Sequence, residues 1–179
     1  TTEIYSFSLH EALRIYVDGI IGSEYNDNLK PSETGSILIG GGGYDYIFGG
    51  AGVDYLDGGS GTNWLQYSYS DSGVTVNLAT ETVSGGDAEG DTIHNFIYVA
   101  GSNDWADTLI GDDQDNRMRG RGGADTMDGG AGTDMLDYYF SSAGVTINLT
   151  TGEASGGDAE GDVFTGFESV IGSDHNDSL

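Results

Sequence analysis

The sequence predicts an all-β protein, a right-handed parallel β-roll or β-helix. Three observations carry that expectation: a nine-residue glycine-rich repeat, an apolar residue recurring at one phase of it, and an acidic composition without cysteine. Residues 40–66 read as GGGGYDYIF, GGAGVDYLD and GGSGTNWLQ, and residues 111–137 as GDDQDNRMR, GRGGADTMD and GGAGTDMLD. The eighth position holds Ile47, Leu56 and Leu65 in the first block and Met118, Met127 and Leu136 in the second. The same phase extends outward through Ile20, Leu29 and Leu38 on one side and Val74 and Val83 on the other. Each nonapeptide divides into a six-residue loop and a three-residue strand whose middle side chain points inward between two outward neighbours. Glycines at positions one, two and four permit the positive φ and close backbone approach that so tight a loop requires.

A longer period of 71 residues lies over the short one. GVTVNL at 73–78 recurs as GVTINL at 144–149, and GGDAEGD at 85–91 recurs unchanged at 156–162. A third marker appears as GSEYNDNL at 22–29, GSNDWADTL at 101–109 and GSDHNDSL at 172–179. The expected organisation is a set of degenerate opening rungs over 1–39 followed by two units. The first, 40–109, has nonapeptides at 40–66 and spacer rungs at 67–109; the second, 110–179, has nonapeptides at 111–137, spacer rungs at 138–171 and the start of another repeat at 172–179. That last marker reads as part of a longer protein.

Thirty Asp and Glu against five Lys and Arg give a formal charge of −25, which argues against nucleic acid and anionic membranes as partners. No apolar run is long enough to insert into a bilayer. Without cysteine there are no disulfides or thiolate sites, and three histidines offer little to zinc or copper. Residues 18 apart fall on adjacent rungs, about 4.8 Å from one another. Asp27 then lies beside Asp45, Asp45 beside Asn63, Asp107 beside Asp125, and Asn116 beside Asp134, while Asp54 falls in a column with Asp18, Ser36 and Ser72. Two carboxylates at that spacing repel by roughly 3 kcal/mol at an effective dielectric near 20. A hard divalent cation between them reverses the sign, and a shell of carboxylate and carbonyl oxygens suits calcium better than magnesium.

The candidate metal ligands are therefore Asp27, Asp45, Asp54, Asn63, Asp107, Asn116, Asp125 and Asp134. The loop glycines that shape the sites are Gly40, Gly42, Gly43, Gly49, Gly52, Gly58 and Gly61 in the first block and Gly120, Gly122, Gly123, Gly129 and Gly132 in the second. Asn63 and Asn116 in place of aspartate, and Ser36 and Ser72 flanking Asp54, predict weaker sites. The repeated GGDAEGD suggests a second type of calcium site outside the nonapeptide pattern, with Asp87 and Asp91, or Asp158 and Asp162, around one ion and Glu89 or Glu160 at the rim. Asp177 in the last marker is a further candidate.

These tandem stretches resemble the repeats-in-toxin (RTX), or hemolysin-type, calcium-binding nonapeptides of large secreted bacterial proteins, with the motif G-G-x-G-x-D-x-U-x. GGAGVDYLD and GGAGTDMLD fit every defined position. The resemblance implies several bound Ca2+ ions, export through a type I channel, and a structural, non-enzymatic segment of an adhesin, surface-layer component or exoprotein that folds on meeting extracellular calcium. The alternative is a polysaccharide-active enzyme, a lyase or epimerase, or its carbohydrate-binding accessory. Its most tempting group is His94 with Tyr98, whose counterparts one unit later are Thr165 and Ser169. Polysaccharide and self-association stay open as partners through the rest of the parent protein. Tyr67, Tyr69, Tyr138, Tyr139 and Phe140 read as core filling where the roll widens, and Trp64 and Trp105 as outward-facing.

Overall fold

A computed structural model describes Tyr5–Ser6 and residues 19–179. Short strands of two or three residues alternate between two sides of a flattened spiral. One side is a single parallel sheet of seven strands: Asn28–Leu29, Tyr46–Phe48, Trp64–Gln66, Tyr98–Ala100, Arg117–Arg119, Met135–Asp137 and Ser169–Ile171. The other side is built in pieces. Gly19–Ile21, Ile37–Ile39, Tyr55–Asp57 and Thr92–His94 stack in parallel, with Tyr5–Ser6 on the outer edge. Thr108–Ile110, Thr126–Asp128 and Val163–Thr165 form a second parallel stack. The protein is a parallel β-roll.

The 18-residue register is the one the apolar phase predicts. Ile20 pairs with Leu38 and Leu38 with Leu56, while on the seven-stranded side Leu29 pairs with Ile47 and Ile47 with Leu65. These side chains, with Leu109, Met118, Met127 and Leu136, meet in one core between the two sides. The core is only one side chain deep, so loops and backbone hydrogen bonds must hold much of the shape.

The spacers break the phase. Leu56 stacks on Ile93 and Leu65 on Val99, so the intervening chain belongs to one widened rung. Within it, Thr75–Asn77 and Thr82–Ser84 form an antiparallel hairpin, and the first of these strands pairs in parallel with Thr108–Ile110. The second spacer repeats the hairpin as Thr146–Asn148 with Glu153–Ser155. The extrapolated phase through Val74 and Val83 is therefore corrected in its strand pairing, while Val74 is buried in the core and Val83 packs against it. Val76 takes the inward place opposite Leu109, and Val83 faces it from the antiparallel strand. The alternating pattern of GVTVNL outweighs the nine-residue clock, because a half-buried strand buries every second residue.

The aromatic residues divide. Tyr67 and Tyr138 are buried where the roll widens, whereas Tyr69, Tyr139 and Phe140 are exposed, which corrects their assignment to the core. Trp64 faces outward but is 1% exposed, because Tyr46 stacks on it, Tyr98 meets it edge-on, Arg119 lies over its ring and Tyr44 accepts its Nε1–H at 2.6 Å. Arg117 and Arg119 both converge on the buried Asp137.

Candidate metal centres in the loops

The sixth position of each nonapeptide ends the loop and begins the strand, and its side chain continues the hydrogen-bond ladder into the loop column. Asp45 Oδ1 accepts the Asp27 N–H at 2.9 Å and Asn63 Oδ1 accepts the Asp45 N–H at 2.9 Å. Likewise Asp125 Oδ1 accepts from Asp107 N–H at 2.8 Å, Asp134 Oδ1 from Asn116 N–H at 2.7 Å, and Asp54 Oδ1 from Ser36 N–H at 2.6 Å. Five of the six adjacencies expected among the described side chains are thus present. The sixth, Asp54 beside Ser72, is replaced by Asp91, whose Oδ1 accepts the Asp54 N–H at 2.7 Å, because the spacer rung intervenes. Asp18 lies outside the described residues.

Position one must be glycine for a reason of space. A Cβ on Gly40 or Gly129 would overlap the position-six carboxylate of its own loop and the carbonyl of the next rung or spacer turn, and one on Gly120 would overlap the Asp125 carboxylate. Gly22, Gly101 and Gly172 in the GS markers face the same obstruction from Asp27, Asp107 and Asp177. Among the other predicted glycines, Gly43, Gly52, Gly61, Gly123 and Gly132 take left-handed φ at position four. Gly42 pairs with Ser60 on the next rung, Gly122 donates its N–H to Asn103 C=O, Gly49 lies against the Tyr67 ring, and Gly58 C=O receives a side-chain amide described below.

The remaining carboxylate oxygen sorts the loops into two kinds. In closed loops, the N–H of position two donates to the side chain at position six. Ser23 N–H reaches Asp27 Oδ2 at 2.6 Å, Ser102 N–H reaches Asp107 Oδ2 at 2.7 Å and Gly50 N–H reaches Asp54 Oδ2 at 3.3 Å. Ser32 with Ser36, and Asp112 with Asn116, do the same at 2.8 Å. The marker serines add their hydroxyls: Ser23 Oγ to Asp27 at 2.9 Å, Ser102 Oγ to Asp107 at 3.0 Å, Ser173 Oγ to Asp177 at 2.7 Å. In open loops, position two is left-handed instead: Gly41 at φ +96°, Arg121 at +73° and Gly130 at +90°. Their aspartates, Asp45, Asp125 and Asp134, are fully buried, and each keeps an Oδ2 with no hydrogen-bond partner. Asn63 shows what satisfies such a position. Gly59 is left-handed at +74°, and the Asn63 Nδ2–H donates to Gly58 C=O at 2.8 Å, placing a positive group between the position-six side chain and the position-one carbonyl.

A buried carboxylate oxygen with no donor is unfavourable by a few kcal/mol, so it signals a missing positive partner. Burial first, and then neighbouring charge from Asp27 on Asp45 and from Glu168, Asp115 and Asp112 on Asp134, pushes both above the usual carboxylate range against the lowering hydrogen bonds from the Asp27 and Asn116 N–H. Asp125 is pushed up to about 8, by burial first and then by the neighbouring charges of Asp162, Asp107 and Asp158 against a lowering hydrogen bond from the Asp107 N–H. Among the described residues no three His, Cys, Asp or Glu side chains converge. Most ligands of an ion here would have to be loop carbonyls, with one carboxylate as the charged member. An all-oxygen set of that kind fits calcium and gives soft metals nothing.

The RTX calcium-binding nonapeptide repeat matches residues 34–65 and 106–136, in four copies. The chain carries RTX calcium-binding nonapeptide repeats. Asp45, Asp125 and Asp134, the three open aspartates, all fall inside the matched RTX segments, whereas Asp27, Asp177 and both GGDAEGD turns fall outside them. No curated protein matches the chain. Among the described residues no helix is long and apolar enough to cross a membrane.

The GGDAEGD turns prove to be part of the ladder. Asp91 and Asp162 sit at the loop position of the strands carrying Ile93 and Phe164, with Oδ1 accepting from Asp54 N–H and Asp125 N–H. Their Oδ2 atoms accept the buried hydroxyls of Tyr67 at 2.9 Å and Tyr138 at 2.8 Å. Burial raises both to about 6, and burial first, then the adjacent carboxylates, hold the two tyrosines above their ordinary range. Glu89 and Glu160 fold back onto the N–H of Gly85 and Gly156 at 2.9 Å rather than standing at the rim of an ion. The D-x-U-x signature in GDTIH and GDVFT could have revealed this register. Glu168, whose Oε2 accepts the Asp134 N–H at 2.8 Å, is a ladder member that the sequence reading missed because its longer side chain breaks the aspartate pattern.

The pair behind the enzyme alternative does not converge. His94 lies in Thr92–His94 and Tyr98 in Tyr98–Ala100, on opposite sides of the roll. His94 instead pairs through Nδ1 with Glu81 at 2.7 Å and packs against Tyr55.

Proposed function

We propose that this chain is a calcium-binding structural module of a secreted or cell-surface protein, folding when it meets extracellular calcium and serving as an adhesin, surface-layer or exoprotein segment. The observation that supports the reading most directly is the trio of buried, donorless oxygens on Asp45, Asp125 and Asp134 within the RTX repeats. In this reading those carboxylates, with the surrounding loop carbonyls, hold the ions, and the closed loops of Asp27, Asp54, Asp107 and Asn116 keep their shape without one. A one-deep core in a chain of net charge −25 leaves the ion-free roll marginal. Because an ion would bind the folded loops and not the extended chain, its binding energy becomes folding energy.

Circular dichroism in excess chelator, followed by calcium titration, tests the proposal. The expected result is a spectrum largely unfolded at ambient temperature, the ion-free roll forming only on cooling and melting below it, that converts cooperatively to β on calcium addition with a midpoint of about 0.1–1 mM, the range of extracellular calcium modules. An unchanged β spectrum and melting temperature on chelation would remove the calcium-folding reading.

A further inference from the structure

The cations of this acidic chain are confined to one surface. Of its five Lys and Arg, Arg14 lies outside the described residues, and the other four are Lys30, Arg117, Arg119 and Arg121. All four stand on the outer face of the seven-stranded side. Arg117 and Arg119 are the outward residues of their strand, Lys30 follows directly on Asn28–Leu29, and Arg121 reaches back to Gln66 Oε1 at 3.4 Å. The outward strand positions of this face hold a single carboxylate, Asp137, buried under Arg117 and Arg119. Two guanidiniums on one carboxylate leave a surplus positive charge, and the Arg117 side chain is still 26% exposed. The parallel strands of the opposite side carry no Lys or Arg and place Asp57 and Asp128 at their outer positions.

Aromatic rings run between the cations. Tyr46, Trp64 and Tyr98 take the first strand position on three consecutive rungs, and Arg117 takes it on the next. The Tyr46 and Trp64 rings stack with centroids 6.2 Å apart, and Tyr98 meets Trp64 edge-on at 5.2 Å. Along the third position, Lys30 Nζ lies 4.7 Å from the Phe48 ring centre and 4.8 Å from that of the exposed Tyr69, while the Arg119 guanidinium lies 4.5 Å from that of the exposed Phe140. Acidic loops flank these strands at both ends, with Asp45 and Asp134 before them and Asp54 and Asp125 after. They would repel an anionic membrane or nucleic acid, which carries a charge about every 1.7 Å. An extended glycan fits the strip between them. Its sugar rings offer apolar faces to the aromatics, and one carboxylate per sugar meets well-separated cations, with Arg giving the planar fork that carboxylates favour.

We infer that this face is the docking surface for a carboxylated polysaccharide lying along the roll axis, with sugar rings on Tyr46, Tyr98 and Tyr69 and carboxylates at Lys30 and Arg117. The inference goes beyond the structural service proposed above and involves calcium only because the roll must be folded. Isothermal titration calorimetry in saturating calcium, with circular dichroism monitoring the fold, tests it. The probes are short galacturonate, mannuronate and glucuronate oligomers and a neutral glucose oligomer of the same length. At least one uronate oligomer should bind where the neutral one does not, and added sodium chloride should weaken the binding. Lys30→Gln with Arg117→Gln should weaken it by about tenfold to 100-fold, while Arg119 still neutralises Asp137. Should that pair disturb the fold, Lys30→Gln alone, at an exposed position, should weaken binding by about threefold to tenfold. Tyr69→Ala, at a site 64% exposed, should weaken it by about fivefold. No binding of any uronate oligomer, equal binding of the neutral one, or unchanged affinity in the charge variants would overturn the inference. Self-association in ultracentrifugation that the same variants abolish would overturn it in favour of a second copy on this face. Each of these failures leaves calcium-induced folding, read separately by circular dichroism, untouched.

Discussion

The loops ending in Asp107 and Asp125 lie one rung apart, and each buries its aspartate almost completely, yet they satisfy it by opposite means. Asp107 receives the N–H and the hydroxyl of Ser102 on its Oδ2, at 2.7 and 3.0 Å. Asp125 receives nothing on its Oδ2, because Arg121 at position two is left-handed and turns no donor toward it. The backbone at a single residue decides the difference. Where position two stays in the ordinary region, the loop supplies its own donor; where it is left-handed, a buried negative oxygen is left for an outside cation. Each 71-residue unit thus interleaves rungs that hold themselves with rungs that call for an ion.

The largest expected effect comes from converting all open loops at once. Asparagine at positions 45, 125 and 134 keeps Oδ1 for the preceding N–H and can turn Nδ2 onto the position-one carbonyl, as Asn63 does on Gly58. The triple variant should need at least about 100-fold more calcium to fold, if it responds at all, since affinity follows the charge of the ligand set. In chelator it should melt several degrees higher than the parent protein, because three unpartnered carboxylates are gone. Asp125→Asn alone should raise the calcium midpoint by about tenfold and lower the calorimetric ion count by one. A matching shift in Asp54→Asn, whose Oδ2 already has the Gly50 N–H, would dissolve the distinction between open and closed loops.

A smaller effect should appear in the pH dependence of the calcium-free state. Folding raises Asp125 from the ordinary carboxylate value near 4 to about 8, and Asp91 and Asp162 to about 6. The contribution of a group so raised is fully present below about pH 4 and is lost as pH climbs through its folded value. The melting temperature in chelator should therefore fall between pH 5 and 8, with the portion above pH 6 belonging mainly to Asp125 and absent in Asp125→Asn. With calcium present the sign reverses. The ion competes with the proton, so the calcium midpoint should drop as pH rises over the same range. A melting temperature that rises with pH in chelator would show that these carboxylates are not neutralised in the ion-free roll.

What was legible in the sequence is the part set by period. Nine residues gave the strand spacing, eighteen gave the neighbours Asp27–Asp45 and Asp107–Asp125, and position eight gave the core from Ile47 to Leu136. What escaped was set by geometry without a period. The spacer hairpins shift the column so that Asp54 meets Asp91 rather than Ser72, and only strand pairing reveals it. The sorting of aspartates into open and closed was hidden as well, since glycine at position two is left-handed in Gly41 but not in Gly50. In the sequence the marker GS is legible only as a repeated string; its serine hydroxyl on the following aspartate is what gives it physical meaning.

The smallest effect, and the sharpest control, is at Ser102. Its Oγ reaches Asp107 and the Trp105 C=O, while its N–H holds Asp107 Oδ2 independently of the side chain. Ser102→Ala removes the hydroxyl, leaves the N–H and adds no bulk. Gly50 already closes the Asp54 loop by N–H alone, so the altered loop should remain closed. The expected loss is about 1 kcal/mol, or a fall of about 2–4 °C in melting temperature. Because no ion is replaced, that loss should be the same in saturating calcium and in chelator, with the calcium midpoint moving by less than about twofold. Melting curves at the two extremes decide it. A penalty seen only in chelator would mean that calcium takes over where the hydroxyl was, and Asp107 would then belong with the open loops.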